Sequence, residues 1–196
     1  AFYEHDFLTG QEQQIALEKF PTQEMLVARY YAELHSGKGI SDMEKKIVSQ
    51  PYYSSQSTYP PRYYQRNAVN RTVEAIARGQ QRLLLVMATG TGKTYTAFQI
   101  VYRLLRSDLK KRILYLADRN ILVDQSILQD FAPLEKTIYK VDFSDKACLS
   151  KIASREVNFA LYHQMVGQND EEHFKQIPAE YFDLIIVDEC HRGSAK

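Results

Sequence analysis

Two stretches of this 196-residue chain carry residue types that can do chemistry together: Ala88-Thr89-Gly90-Thr91-Gly92-Lys93-Thr94 and Asp188-Glu189-Cys190-His191. In the first, Gly90 and Gly92 let backbone N–H groups approach an anion closely. A helix starting directly afterwards adds partial positive charge. Lys93 can reach the β- and γ-phosphates of a nucleotide as a point charge, and the Thr94 hydroxyl can ligate Mg²⁺. Thr89 and Thr91 complete the loop. The general phosphate-loop pattern has Gly where this chain has Met87. In the second stretch, Asp188 can hold the Mg²⁺ that bridges nucleotide phosphates, and Glu189 is placed to orient and deprotonate an attacking water. Either stretch alone reads as a Gly-rich turn or a solvated loop; together they point to hydrolysis of a nucleoside triphosphate. Cys190 reads as a small packed residue, because no base is expected to face it.

Both stretches must stand at strand ends for this to work. Leu83–Met87 is a short continuous apolar run, which predicts a strand buried on both faces immediately before the loop. A helix from Lys93 to about Leu105 follows, then a strand at Ile113–Ala117 and a helix from Asn120 to Phe131. Further strands are predicted at Thr137–Val141, Val157–Tyr162 and Leu184–Val187, the last ending at Asp188. Upstream, Pro61 suits the first turn of a helix that turns Tyr64, Ala68, Val69, Val73 and Ile76 inward and stops at Gly79. Strands alternating with helices predict an α/β fold, a parallel sheet with helices on both faces. Ligands of such sheets bind at the carboxyl ends of the strands, where both stretches fall.

The first sixty residues read differently. Thr22 caps a predicted helix running to about His35. Ser41 with Glu44 forms a capping box for a short second helix that Pro51 stops. Gln50–Pro61, rich in Tyr, Ser and Pro, lacks periodicity and reads as an ordered linker whose tyrosines pack onto the sheet. The expected organisation is therefore a helical segment over 1–49, a linker over 50–60 and an α/β lobe over 61–196.

Composition narrows the classes. Net charge is +1, with 44% hydrophobic and 25% charged residues, so the chain can build a core and does not bind nucleic acid through a bulk excess of cations. No apolar run is long enough to span a membrane, and the N-terminus does not read as a signal peptide. Two unclustered cysteines exclude a disulfide scaffold and a Cys-based zinc site, so a reducing, cytoplasmic setting is expected.

The two motifs resemble motifs I and II of superfamily 2 helicases and translocases, a family that uses the Ala-first variant of the loop. The resemblance narrows with Pro61-Arg62-Tyr63-Tyr64-Gln65, MATGTGKT, the run LADRNILVDQ from Leu116 to Gln125 and DECHRGSA. Together these are similar to the motor (R) subunit of type I restriction enzymes. FLTG at Phe7–Gly10 and FPT at Phe20–Thr22 resemble the stretch joining that subunit's nuclease domain to its motor. The resemblance implies a RecA-like lobe, ATP and Mg²⁺ as ligands, and double-stranded DNA as track. Methyltransferase and specificity subunits are the implied partners, in a prokaryotic cytoplasm.

Residue by residue, the resemblance implies that Gln65 reads the adenine edge. His191 would couple the hydrolysis site to the nucleic-acid side. Asp118-Arg119 fall where a motif contacts the phosphate backbone, although a salt-bridged arginine at a helix start fits Arg119 equally. Tyr162 and Gln164 fall at a further strand-touching motif, or at the rim of the core. The resemblance also implies a third motif and a second lobe beyond Lys196, and nuclease carboxylates upstream of Ala1, since no Asp…Glu-x-Lys constellation occurs in the first sixty residues. By itself the chain is expected to bind ATP weakly and turn it over little. A superfamily 2 helicase acting on RNA or single-stranded DNA, and a binding module without catalysis, are the competing readings.

Overall fold

In the computed structural model, the residues described are 1–5, 10–34, 41–56, 59–118, 129–166 and 172–190. They form two compact units, Ala1–Lys45 and Lys46–Lys196. The first unit holds an antiparallel hairpin, β1 (Phe2–His5) with β2 (Glu12–Ile15), and helix α1 (Gln23–Leu34). The sequence reading placed only helices here. The hairpin escapes it because only one of its four cross-strand pairs, Phe2 with Ile15, is apolar, and two of the others are polar contacts: Gln13 donates to Glu4 at 2.7 Å and His5 meets Glu12 at 2.9 Å. Thr22 caps α1, its Oγ1 accepting from the Met25 amide at 3.3 Å. The Ser41/Glu44 capping box forms as expected at the start of α2 (Asp42–Val48), with both reciprocal bonds present at 2.9 and 3.2 Å. Of the FLTG stretch at Phe7–Gly10, all but Gly10 lies outside the described residues.

The second unit is the α/β lobe. Helices α3 (Tyr63–Ala77) and α4 (Lys93–Arg106) precede β3 (Ile113–Ala117), β4 (Ile138–Lys140), α5 (Cys148–Ala153), β5 (Val157–Leu161), α6 (Tyr162–Val166) and β6 (Leu184–Val187). The sheet runs β4-β5-β3-β6 and every pair is parallel. β3 reads as a continuous apolar run because both of its faces are covered, whereas β5, buried throughout, carries one polar residue, Asn158, whose side-chain amide donates to the Ile152 and Arg155 carbonyls. Ile113, Tyr115 and Ala117 pack with Phe98 and Val101 of α4, whereas Leu114 and Ala160 face Cys148 and Ile152 of α5. A third cluster joins Ile47 of α2 to Val69 and Val73 of α3 and to Ile100 and Leu104 of α4. The predicted helix over Asn120–Phe131 falls almost wholly outside the described residues.

In the stretch expected to be a linker, Tyr52 and Tyr53 pack on helices rather than on the sheet, whereas Tyr59 is exposed. The Tyr53 ring stands edge-on to Phe98 and Tyr102, and the buried Gln99 side chain holds both the Tyr53 amide and its carbonyl. Tyr52 donates to Asn70 at 2.7 Å and lies under the Arg103 guanidinium.

Two further expectations fail. Leu83–Met87 forms no ladder, and its side chains are open to solvent, Val86 by 87%. A strand buried on both faces needs a neighbour within hydrogen-bonding reach, and the described sheet ends at β6. The run instead borders α3 at Ala68, Arg71 and Thr72, around a cavity of about 250 Å³. β6 itself is buried on one face only, since Ile185 and Val187 are exposed. Cys190, expected to be packed, is exposed as well, because β6 stops at Val187 and the following turn stands at the surface. Among the described residues no helix is long and apolar enough to cross a membrane.

Candidate nucleotide site

The loop turns as its glycines predict. Gly90 and Gly92 take φ of 76° and 82°, a left-handed backbone that Gly adopts without steric cost. Thr91 closes the turn by donating its hydroxyl to the Ala88 carbonyl at 2.6 Å. α4 starts at Lys93 with Gly92 at its cap position and no side-chain cap, so amide N–H groups of its first turn stay open to an anion. Its apolar face fixes the helix on the sheet, which fixes the loop.

Gln65, in the first turn of α3, sits against this loop. Its Nε2 donates to the Thr91 carbonyl at 2.9 Å and its Oε1 accepts from the Arg62 amide at 2.9 Å. The side chain therefore braces the loop from the first turn of α3. Crowding follows, because a Cβ on Gly92 would lie 2.5 Å from Gln65 Nε2, whereas one on Gly90 would meet nothing within 4 Å. Gly90→Ala is accordingly expected to cost only the left-handed penalty of about 1–2 kcal/mol. Gly92→Ala should cost more and weaken nucleotide binding, because Gln65 must leave the loop. Paired thermal melts and nucleotide titrations check this; equal losses for the two variants would contradict it.

The second stretch arrives from the sheet. Lys93 Nζ donates to Glu189 Oε1 at 2.6 Å, joining residues that stand 96 positions apart in sequence. Glu189 has φ of 48°, a left-handed conformation that costs a non-glycine residue about 1–2 kcal/mol. The Asp188 amide continues the ladder to the Leu116 carbonyl, and the Asp188 carboxylate accepts from the Glu189 amide at 2.9 Å and from the Tyr115 hydroxyl at 3.2 Å. Burial, and next the Asp188 charge, raise the Tyr115 phenol well above its usual range, so it stays a proton donor. Burial likewise raises the Tyr162 phenol, with Cys190, Asp188 and Asp118 adding to the effect.

The structure thus brings Lys93, Asp188 and Glu189 into one site, with Gln65 beneath the loop formed by Thr89, Gly90, Thr91 and Gly92, and Thr94 in the first turn of α4. The donor set fits Mg²⁺, because the Thr94 hydroxyl and the Asp188 carboxylate are hard oxygen ligands. Gln164 does something more local: its Oε1 accepts from the Leu161 amide at 3.3 Å, capping α6. Arg119 and His191 lie outside the described residues. Sequence reasoning missed Tyr115. Its signal was faint, a single hydroxyl in the otherwise aliphatic run ILYLA.

The family described as type III restriction enzyme, res subunit (ResIII), matches residues 58–196. The chain belongs to the ResIII family. Similar proteins agree. The endonuclease subunit of the type I restriction enzyme EcoAI from Escherichia coli is 47% identical over 94% of this chain. The EcoKI endonuclease subunit from Escherichia coli K12 is 40% identical over 67% of it. The chain spans 22% of the length of the first and 12% of the second. Among solved structures, a fragment assigned to an HsdR subunit of a type I restriction enzyme from Vibrio vulnificus YJ016 superposes with TM-score 0.71 at 35% identity. That match covers 96% of this chain and 32% of the other. The UvsW helicase from bacteriophage T4, at 19% identity, TM-score 0.53 and coverage of 83% of this chain and 59% of its own, shares the fold. The parallel RecA-like sheet expected from the sequence is therefore the fold of this ResIII chain.

Proposed function

We propose that this ResIII chain is the ATP-binding half of a DNA-translocating motor, the first lobe of the R subunit of a type I restriction–modification enzyme. The contact between Lys93 and Glu189 carries this reading, because it joins the phosphate loop to a candidate general base in one site. The EcoAI, EcoKI and Vibrio likenesses support type I restriction over an RNA or single-strand helicase.

In this reading the loop amides and Lys93 bind the phosphates, Gln65 holds the loop and borders the adenine, and Glu189 takes a proton from the attacking water. Thr94 and Asp188 would hold Mg²⁺, which supplies charge compensation to the phosphates. His191 couples the site to DNA, and Arg119 and Gln164 lie on the DNA side. The intact protein pulls duplex DNA toward a nuclease domain whose tail is residues 1–49, working with methyltransferase and specificity subunits in a prokaryotic cytoplasm.

The test is ATP hydrolysis by the intact protein with duplex DNA, single-stranded DNA or RNA added. Stimulation mainly by duplex DNA is expected, and Lys93→Ala should abolish both nucleotide binding and turnover. Stimulation mainly by RNA or single strands would transfer the protein to the helicases. Unchanged nucleotide binding in Lys93→Ala would leave a binding module without catalysis.

A further inference from the structure

Tyr115 stands in β3 with its ring 2% exposed, stacked on Phe159 at 4.7 Å and edge-on to Phe131 at 5.7 Å. A phenylalanine would fill that aromatic packing equally well, so packing alone does not account for the hydroxyl. The hydroxyl points out of the cluster and donates to Asp188 Oδ2 at 3.2 Å. Strand pairing makes this contact possible: β3 and β6 run parallel with Tyr115 opposite Ile186, which carries Asp188 just past the ring. The other carboxylate oxygen, Oδ1, accepts from the Glu189 amide at 2.9 Å. Both oxygens of Asp188 are therefore oriented, one by backbone and one by a side chain locked in the core. Each oxygen keeps lone-pair capacity for a cation.

We propose that Tyr115 is a positioning residue for the metal: its buried hydroxyl sets the orientation of the Asp188 carboxylate that receives Mg²⁺. This rests on the reading of Asp188 as a metal-holding residue. The stiffness comes from the ring, which cannot swing without breaking its stack on Phe159. Outer-shell partners of this kind hold a ligand in its binding orientation, and their removal weakens metal affinity by about 10–100-fold.

The test uses the intact protein with ADP, and Mn²⁺ as a spectroscopically visible probe titrated by electron paramagnetic resonance. Tyr115→Phe keeps the ring and removes the hydroxyl. The expected result is Mn²⁺ affinity weakened about 10–100-fold, with nucleotide affinity in the presence of a chelator unchanged and the melting temperature close to wild type. Asp188→Asn is run beside it. Should Asp188→Asn weaken Mn²⁺ binding while Tyr115→Phe does not, the role of Tyr115 is overturned and the metal assignment stands. Intact Mn²⁺ binding in Asp188→Asn would overturn the metal assignment itself. If Tyr115→Phe lowers the melting temperature and the metal-free nucleotide affinity together, the hydroxyl serves packing and the inference fails.

Discussion

Replacing Glu189 by Gln is expected to lower ATP turnover of the intact protein by about 10²–10⁴-fold, the usual contribution of a general base. Gln has nearly the same shape and can still contact Lys93, but its amide does not take a proton from water. A second effect has the opposite sign. Lys93 Nζ lies 2.6 Å from Glu189 Oε1, so an arriving phosphate must compete with that carboxylate for the same cation. A neutral amide competes less, so nucleotide should bind more tightly in the variant although it is hydrolysed less. Phosphate release and equilibrium nucleotide titration separate the two effects. Turnover within about threefold of wild type would remove Glu189 from the base role, being far smaller than the loss of a general base.

Phe98→Ala is expected to cost about 3–5 kcal/mol of stability, the range for deleting a buried aromatic side chain. Phe98 is 1% exposed and sits where three parts of the lobe meet. Its ring stands edge-on to Tyr53 of the linker at 5.4 Å and to Phe131 at 5.5 Å, and beside Tyr102 of its own helix at 6.1 Å. Removing it opens a cavity between α4, β3 and the linker, and the surrounding rings are too constrained to collapse into it. Because α4 begins at Lys93, loosening its packing should also weaken nucleotide binding at temperatures where the variant is still folded. Chemical denaturation checks the first effect and nucleotide titration the second. A loss below about 1 kcal/mol would show that the linker and the sheet do not share this core.

The site was legible in the sequence where its geometry is local. Gly90, Gly92 and Lys93 follow one another in the chain, and the turn they make depends on backbone freedom and a helix start. The strand Ile113–Ala117 was legible for a similar reason, since burial on both faces writes a continuous apolar run. Partnership is a different matter. Leu83–Met87 has the composition of a buried strand, yet apolar content does not specify which ladder a run joins, and here it joins none. The contacts of Tyr115 with Asp188 and of Lys93 with Glu189 join residues 73 and 96 positions apart in sequence. They follow from the β3–β6 register and the position of α4, which no short window of sequence contains. Gln65 shows the intermediate case: its place beside the loop was readable from the resemblance, but its bond to the Thr91 carbonyl was not.

The outer side of β6 bears on how this chain behaves in concentrated solution. Backbone donors and acceptors there meet no further strand among the described residues, and Ile185 and Val187 flank them in the open. Much earlier in the lobe's sequence, Leu83–Met87 offers a second apolar stretch without ladder bonds or an interrupting charge. Edges of this kind are templates for pairing with another molecule, and native proteins usually guard them with Lys, Pro or a bulge. Neither segment carries such a guard. Self-association of the 196-residue chain would therefore begin by strand addition at these two places, and a single lysine at Ile185 would be the economical remedy.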